Sequence, residues 1–413
     1  MTDQGDPASL LRGPVARLLA ALDRDGEQAR IVGGAVRNAL LRMTVHEIDI
    51  ATTAVPDEVL RRVGAAGWKA VPTGLEHGTI TVLIEGKPFE VTTLRRDVET
   101  YGRRAKVVFG RDWVADAERR DFTINALSLS QDGAVHDYVG GLADLALRRV
   151  RFIGDPAQRI AEDTLRILRF FRFHAWFGAG APDAEGLDAC VRGRAGIETL
   201  SRERVRTELL KLLLAPRAAP TLAIMAETGL LGSVLGGVAL LASFENMVKI
   251  EAAIRLEADA TRRLGALGVA VREDAERLAQ TLRLSNAETE RLIALDGWWR
   301  IMPGAGEKSA RALLYRLGRQ HFSDQALVAW SRSGAGVADF AWRGLACLPE
   351  TWTAQVFALK AADFIRRGIA PGPALGAALR AAEEAWIAAD FPTDRAAIEL
   401  IADWTARAIT KAD

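Results

Sequence analysis

At 413 residues the chain exceeds what one ordinary hydrophobic core organises, so two or more folding units are expected. Its composition, 49% hydrophobic and 26% charged, is that of a soluble globular protein, and no run of about 18 apolar residues is present to cross a membrane as a helix. The net charge of +1 excludes the strong positive balance by which a protein grips long RNA regardless of sequence.

Met1 to Leu10 is acidic and polar, so no secretory signal is expected there. Ala8 to Leu22 has helical apolar spacing and is expected to pack on the first unit. A short apolar strand, Arg30 to Val32, then runs into Gly33-Gly34, and a helix is expected over 35–42. A second strand over 47–51 carries Glu47 and Asp49, separated only by Ile48. Side chains alternate along a strand, so these two carboxylates are expected on one face. Held there they repel each other unless a cation lies between them. That suits Mg²⁺, a hard ion that takes oxygen ligands and nucleotide phosphates. The glycine pair lets a phosphate approach the backbone, and the helix start behind it favours an anion. A lone E-x-D or a lone Gly-Gly is usually a solvated edge or a turn, but their order and spacing here restrict the reading to nucleotidyl transfer.

A helix is expected over 56–65, then strands over 78–84 and 88–94 joined by a hairpin turn at Glu85-Gly86-Lys87. Residues 95–116 show no sustained period and many charges, and read as a mobile loop beside the site. From Asp155 onward strands stop and helical patterns run over 157–177, 200–214, 217–229 and on through 239–263, 271–282, 286–300, 306–317, 323–333, 355–367, 373–388 and 393–409. Cys190 and Cys347 lack metal-ligand spacing and read as reduced thiols of a cytoplasmic protein. His46, His77, His136, His174 and His321 are scattered, with no nucleophile cluster around them. Seven tryptophans of the helical part, Trp298, Trp299, Trp330, Trp342, Trp352, Trp386 and Trp404, are expected mainly in cores. The arginines of 202–217 and Arg366-Arg367 are candidate RNA contacts or solvated helix faces.

On these residues the chain resembles the class II tRNA nucleotidyltransferase and bacterial poly(A) polymerase family of the DNA polymerase beta superfamily. Gly33-Gly34-Ala35-Val36-Arg37-Asn38 and Glu47-Ile48-Asp49-Ile50-Ala51-Thr52 are similar to its opening signature. Phe89-Glu90-Val91-Thr92-Thr93-Leu94-Arg95, Arg119-Arg120-Asp121-Phe122-Thr123-Ile124-Asn125-Ala126, Asp137 to Gly141, Arg151 to Pro156 and Glu162-Asp163-Thr164-Leu165-Arg166 follow in the family's order. The resemblance covers roughly residues 28–180. It departs at Glu47 and Asn38, where the family pattern has Asp. Glu47 keeps the charge but moves its oxygens by about 1 Å, which bears on rate and admits Mn²⁺ beside Mg²⁺.

The resemblance implies an α+β fold. A polymerase-beta-like nucleotidyltransferase head with a mixed sheet (1–153) precedes an all-α neck carrying the nucleotide-recognition helix (154–215) and a helical body and tail (216–413). It implies addition of C and A to the 3′ end of tRNA from CTP and ATP. The rivals are a poly(A) polymerase, a CC-only or A-only enzyme, and, in a different class, a catalytically weakened RNA-binding protein. Glu47 and Asp49 would hold Mg²⁺. Glu90 and Asp121 are alternatives for the third carboxylate, with an Arg–Asp structural pair as the other role for Asp121. Gly33, Gly34, Arg37 and Arg120 would cradle the triphosphate. Asp163, Arg166, Arg169 and Arg172 recur every three residues along one side of the helix expected from Glu162. A carboxylate only accepts and a guanidinium only donates, so Asp163 facing an exocyclic amino group and Arg166 facing a ring nitrogen would admit cytosine and adenine. The same pair would reject guanine and uracil, which present the reversed pattern. The expected partner is the tRNA 3′ end and acceptor–T arm, with no membrane and no obligate protein partner.

Overall fold

The computed structural model describes residues 7–74, 78–101 and 104–410, which divide into two compact units, residues 1–236 and 237–413. Residues 1–6 of the acidic N-terminal stretch, and His77, lie outside the described residues.

In the first unit a single 3₁₀ turn, Pro7–Leu10, precedes α1 (Pro14–Leu22), whose Leu18, Leu19 and Leu22 are fully buried. The strands and helices that follow are β1 (Ala29–Val32), α2 (Gly34–Leu40), β2 (Asp49–Thr52), α3 (Pro56–Ala65), β3 (Lys69–Gly74), β4 (Thr79–Ile84) and β5 (Lys87–Thr93). After them come β6 (Arg95–Tyr101), β7 (Arg104–Phe109), α4 (Trp113–Glu118), β8 (Ser128–Leu129), β9 (Val135–His136) and α5 (Gly141–Ala146). One seven-stranded sheet has the order β3-β4-β5-β2-β1-β8-β9; β2 and β5 run parallel and the other neighbours antiparallel. This is the mixed sheet expected. All four residues of β1 are buried, as befits a central strand covered on both faces. Arg62 of α3 ties that helix to the end of α1 by donating to the Leu22 and Arg24 carbonyls at 2.8 and 2.9 Å. The β4–β5 turn is a two-residue hairpin, with Glu85 and Gly86 both at positive φ (52° and 76°), the geometry that matches strand twist.

Two sequence expectations change here. The second strand begins at Asp49, so Glu47 lies just before it rather than within it. The stretch 95–116 is not one loop. Its described part forms the β6–β7 ladder, a separate two-stranded sheet, followed by α4, whose start is capped by the Asp112 carboxylate accepting from the Val114 and Ala115 amides. Paired only with each other, these strands need no continuous apolar face, and a six-residue helix is too short to show its period.

The helices of the first unit continue with α6 (Pro156–Glu162), α7 (Leu165–Phe177), α8 (Ala184–Arg192), α9 (Arg202–Leu213), α10 (Ala218–Glu227) and α11 (Leu230–Leu235). The expected single helix over 157–177 is therefore two. Asp163 is extended (φ −153°), and its carboxylate accepts from the Leu165 amide at 3.1 Å, the local side-chain bond that lets Asp compete with helix. The apolar face of α7 packs on the segment after α4. Phe122 packs at a tilt against Phe152 and Phe173, with ring centroids 4.9 and 5.2 Å apart, and Phe152 stacks on Phe170 at 5.4 Å. Shared burial of these rings holds α7 rigidly against the sheet domain.

In the second unit every element among the described residues is helical. Glu251 and Asp324 hold Arg262, Arg263 and Arg291 in a network buried at its centre. Trp330, Trp342 and Trp386 are buried as expected, whereas Trp299 and Trp404 are exposed. Arg366 pairs with Asp363, and Arg367 with Asp403 and Glu399. Among the described residues no helix is long and apolar enough to cross a membrane.

Candidate active site

β1 ends at Val32, and Gly33 after it, at a φ of 70°, turns the chain into α2. The backbone favours glycine there, and a Cβ would lie 3.0 Å from an Arg120 guanidinium nitrogen, close enough to shift that side chain. α2 has only seven residues, and the cations around it supply most of the attraction for an anion.

Arg37 is the most constrained of these cations. Its Nε and Nη2 donate to the Asn38 Oδ1 at 3.1 and 2.8 Å, and its Nη1 donates to the Asn125 Oδ1. Its guanidinium lies 3.9 Å from the Phe177 ring centroid, a cation–π contact. Burial pushes its pKa down to about 9, and the nearby charges of Arg172 and Arg169 add to the shift while Asp121 opposes it. Arg37 remains a cation at neutral pH. Arg120 is braced by Asp116 at 3.1 Å and by the Asn125 carbonyl at 3.3 Å.

Asp121 is buried and fully engaged. It accepts from the Phe122 amide at 2.9 Å, the Asn125 Nδ2 at 3.0 Å and the Arg169 Nε at 2.7 Å. Its pKa is lowered, because Arg169 and these donors outweigh the desolvation that by itself would raise it. Asn125, unremarked at the sequence level except as part of a motif, thus links Arg37 on one side to Asp121 and Arg169 on the other.

The acidic edge is formed by Glu47, Asp49 and Glu90. Asp49 and Glu90 are register partners on the parallel strands β2 and β5, and both are exposed on the same face of the sheet. The Asp49 carboxyl is raised above its ordinary value by partial desolvation first, then by the negative charges of Glu90 and Glu47, with Arg120 opposing. Like charges crowded in this way are what a divalent cation would relieve. Among the described residues no group of three or more His, Cys, Asp or Glu side chains could by itself hold a metal. The donor set therefore fits Mg²⁺ completed by substrate oxygens and water better than an all-protein cage.

The helices after the sheet supply the opposite wall. Arg166 donates to the Arg159 carbonyl at 2.9 Å and pairs with Glu162. Arg169 and Arg172 meet at Glu208 of α9, and the Arg172 guanidinium lies 4.3 Å from the Phe173 centroid. Asp163 is held by Arg204, also from α9, at 2.6 Å. A cleft of about 640 Å³, within the size range of nucleotide pockets, gathers all of the sequence-selected residues except Glu90. Asn125, Phe173 and Arg204 also line it and were not singled out by sequence. Only the N-A that follows R-R-D-F-T in a motif pointed to Asn125; Arg204 was one arginine among several in a basic stretch.

Residues 29–151 match the family described as "Poly A polymerase head domain", and residues 184–240 that described as "Probable RNA and SrmB- binding site of polymerase A". The CCA-adding enzyme of Limosilactobacillus fermentum is 33% identical over 373 residues, 89% of this chain and 90% of its own length. The mitochondrial CCA tRNA nucleotidyltransferase 1 of Danio rerio is 42% identical over 225 residues, 54% of this chain, and the match spans only about half (52%) of that relative. Among solved structures, the Bacillus stearothermophilus CCA-adding enzyme in complex with CTP superposes with a TM-score of 0.78 at 27% identity, covering 97% of this chain and 100% of that one. The chain belongs to the CCA-adding enzyme family of tRNA nucleotidyltransferases.

Proposed function

We propose that this protein adds C and A, without a template, to the 3′ end of tRNA from CTP and ATP. The observation that carries the reading is one cleft that joins the Glu47–Asp49 edge, a cradle of arginines and the Asp163–Arg166 pair. In the reaction the tRNA 3′-oxygen attacks the α-phosphorus, the bond to the β-phosphate oxygen breaks, and pyrophosphate leaves. The Gly33 turn admits the triphosphate against the backbone, and Arg37 and Arg120 bind its oxygens through charge-assisted hydrogen bonds. Glu47 and Asp49 would hold Mg²⁺, or Mn²⁺, which when bound supplies Lewis-acid stabilisation of charge on the phosphate oxygens. Glu90 is assigned as the third carboxylate because it adjoins Asp49 in register, whereas Asp121 is consumed by Arg169 and acts by positioning.

Base selection falls to Asp163, as acceptor of the exocyclic amino group of C or A, and to Arg166, as donor to the ring nitrogen. In the free protein Asp163 is paired with Arg204, so an incoming amino group competes with that pair. Arg169 and Arg172 hold the recognition helix through Asp121 and Glu208. The division into head (1–153), neck (154–215) and body with tail (216–413) is retained as a functional one, with the helical part meeting the acceptor–T arm. Cys190 and Cys347 are free thiols, which accords with a cytoplasmic setting.

The test is incorporation of labelled CTP and ATP, singly and together with Mg²⁺, onto tRNA ending at the discriminator base, at C or at CC. Addition of C, C and then A, stopping there, is expected. Long A tracts on unrelated RNA would make it a poly(A) polymerase, partial addition a CC-only or A-only enzyme. tRNA binding without incorporation in Mg²⁺ or Mn²⁺ would leave a binding protein.

A further inference from the structure

Six arginines line the nucleotide cleft, and five of them are paired with carboxylates, as Arg120 is with Asp116 and Arg169 with Asp121. Arg37 is the exception. It is only 8% exposed, and among the described residues its side-chain partners are the amide oxygens of Asn38 and Asn125 and the faces of two aromatic rings. Burial disfavours its charge, and so do the like charges of Arg172 and Arg169, while the opposing Asp121 is already engaged by Arg169.

The two rings are not equivalent. Phe173 lies 5.3 Å from the Arg37 guanidinium but is shared with Arg169 and Arg172, whereas Phe177, at 3.9 Å, has Arg37 as its one cation among the described residues. Amide oxygens and aromatic faces hold a guanidinium without cancelling its charge. Asn38 and Asn125 together take the Nε hydrogen and one hydrogen on each Nη, which leaves one N–H on each terminal nitrogen. That is the two-pronged donor that phosphate oxygens accept from.

We infer that Phe177 is a positioning residue for the triphosphate: its ring stacks on the Arg37 guanidinium, fixes where the remaining donor pair points, and leaves the whole positive charge for the nucleotide. This role rests on the nucleotidyl-transfer reading and deepens it. At position 38 the chain departs from the family pattern, which has Asp. A carboxylate there would hold Arg37 by an ion pair; Asn38 holds it by hydrogen bonds alone, so more of the holding falls to the ring. Phe177 is the last residue of α7 and Arg166 lies in its first turn. The helix that carries base selection at one end thus fixes a phosphate-binding cation at the other.

The experiment is calorimetric titration with CTP, ATP and inorganic pyrophosphate in Mg²⁺. The proteins are the unaltered chain, Phe177→Leu and Phe177→Met, each also made together with Asn38→Asp, and thermal unfolding checks that every variant is folded at the assay temperature. Both substitutions at 177 keep the position apolar and remove the ring. With Asn38 in place, the Kd for all three ligands should rise about fivefold or more; with Asn38→Asp the same change should cost less than twofold, because the ion pair takes over the holding. Trp176→Leu is the control, since Trp176 lies on the same helix but donates to the Lys211 carbonyl at 3.0 Å, and its three Kd values should match the unaltered protein. A ring that only fills space in the core would cost the same in both backgrounds, and that result would overturn the inference. Unchanged Kd values would do so too, as would weaker CTP and ATP binding with pyrophosphate unaffected. Failure of the unaltered protein to bind any of the three would instead remove the nucleotidyl-transfer reading, and the role of Phe177 with it.

Discussion

Replacing Asp121 by Asn separates a catalytic from a positioning role for this carboxylate. The change keeps the volume and removes the charge that Arg169 faces. Breaking a buried ion pair costs about 3–5 kcal/mol. Arg169 keeps about a third of its side chain exposed and retains Glu208 at 3.8 Å, so a loss of roughly 2–3 kcal/mol is the working figure. For a unit of this size that corresponds to a fall in melting temperature of roughly 5–10 °C. The introduced amide also disturbs Asn125, which orients Arg37, so the KM for CTP and ATP should rise roughly tenfold while kcat changes less. The assay is thermal unfolding followed by circular dichroism, alongside steady-state incorporation. An unchanged melting temperature with a kcat loss on the order of a thousandfold would refute the reasoning and make Asp121 a member of the reacting centre.

Glu90→Gln should do the reverse, lowering kcat by about a hundredfold or more with the melting temperature within about 2 °C, because Glu90 is exposed and among the described residues forms no ion pair; a mild kinetic effect would return the third carboxylate to Asp121. Asn38→Asp turns the two hydrogen bonds that the Arg37 cation donates to a neutral amide oxygen into an ion pair and should stabilise the protein by about 1 kcal/mol, read as a higher melting temperature, with Arg37 titrating at higher pH. His174 is buried on α7 and its pKa is pushed down to about 4, first by burial and then by Arg217. The unfolded chain takes up that proton near 6.5, so its linkage is absent above pH 6.5 and costs stability as pH falls toward 4. The loss reaches about 2 kcal/mol at pH 5, and His174→Gln should lose that part of the pH dependence of urea unfolding.

Much of the site was legible because its chemistry is local. The Gly33-Gly34 turn, the Glu47–Asp49 pair and the three-residue spacing of Arg166, Arg169 and Arg172 are each set within one turn or one strand end. Backbone sterics and side-chain periodicity act at that range, and a single sequence displays them. The same locality explains the misreadings. The strands β6 and β7, rich in charged residues, pair only with each other, leaving no apolar period, and the break at Asp163 depends on one side-chain bond to the Leu165 amide.

What only the tertiary structure decided is which charges meet. Asp121 and Arg169 stand 48 residues apart, Asp163 and Arg204 stand 41 apart, and Arg37 reaches Asn125 across 88. No periodicity encodes those pairings. They follow from the packing of Phe122, Phe152, Phe170 and Phe173, which docks α7 on the sheet domain and brings its arginines into the cleft beside the carboxylate edge. The proposed choice of Glu90 over Asp121 as third carboxylate rests on the same fact. Both are acidic residues in plausible motifs, and sequence treats them alike. The parallel register of β2 and β5 puts one beside Asp49, while burial against Arg169 neutralises the other. Residue type and spacing determined the kind of chemistry available; long-range packing, driven by the burial of apolar surface, determined which groups are free to perform it.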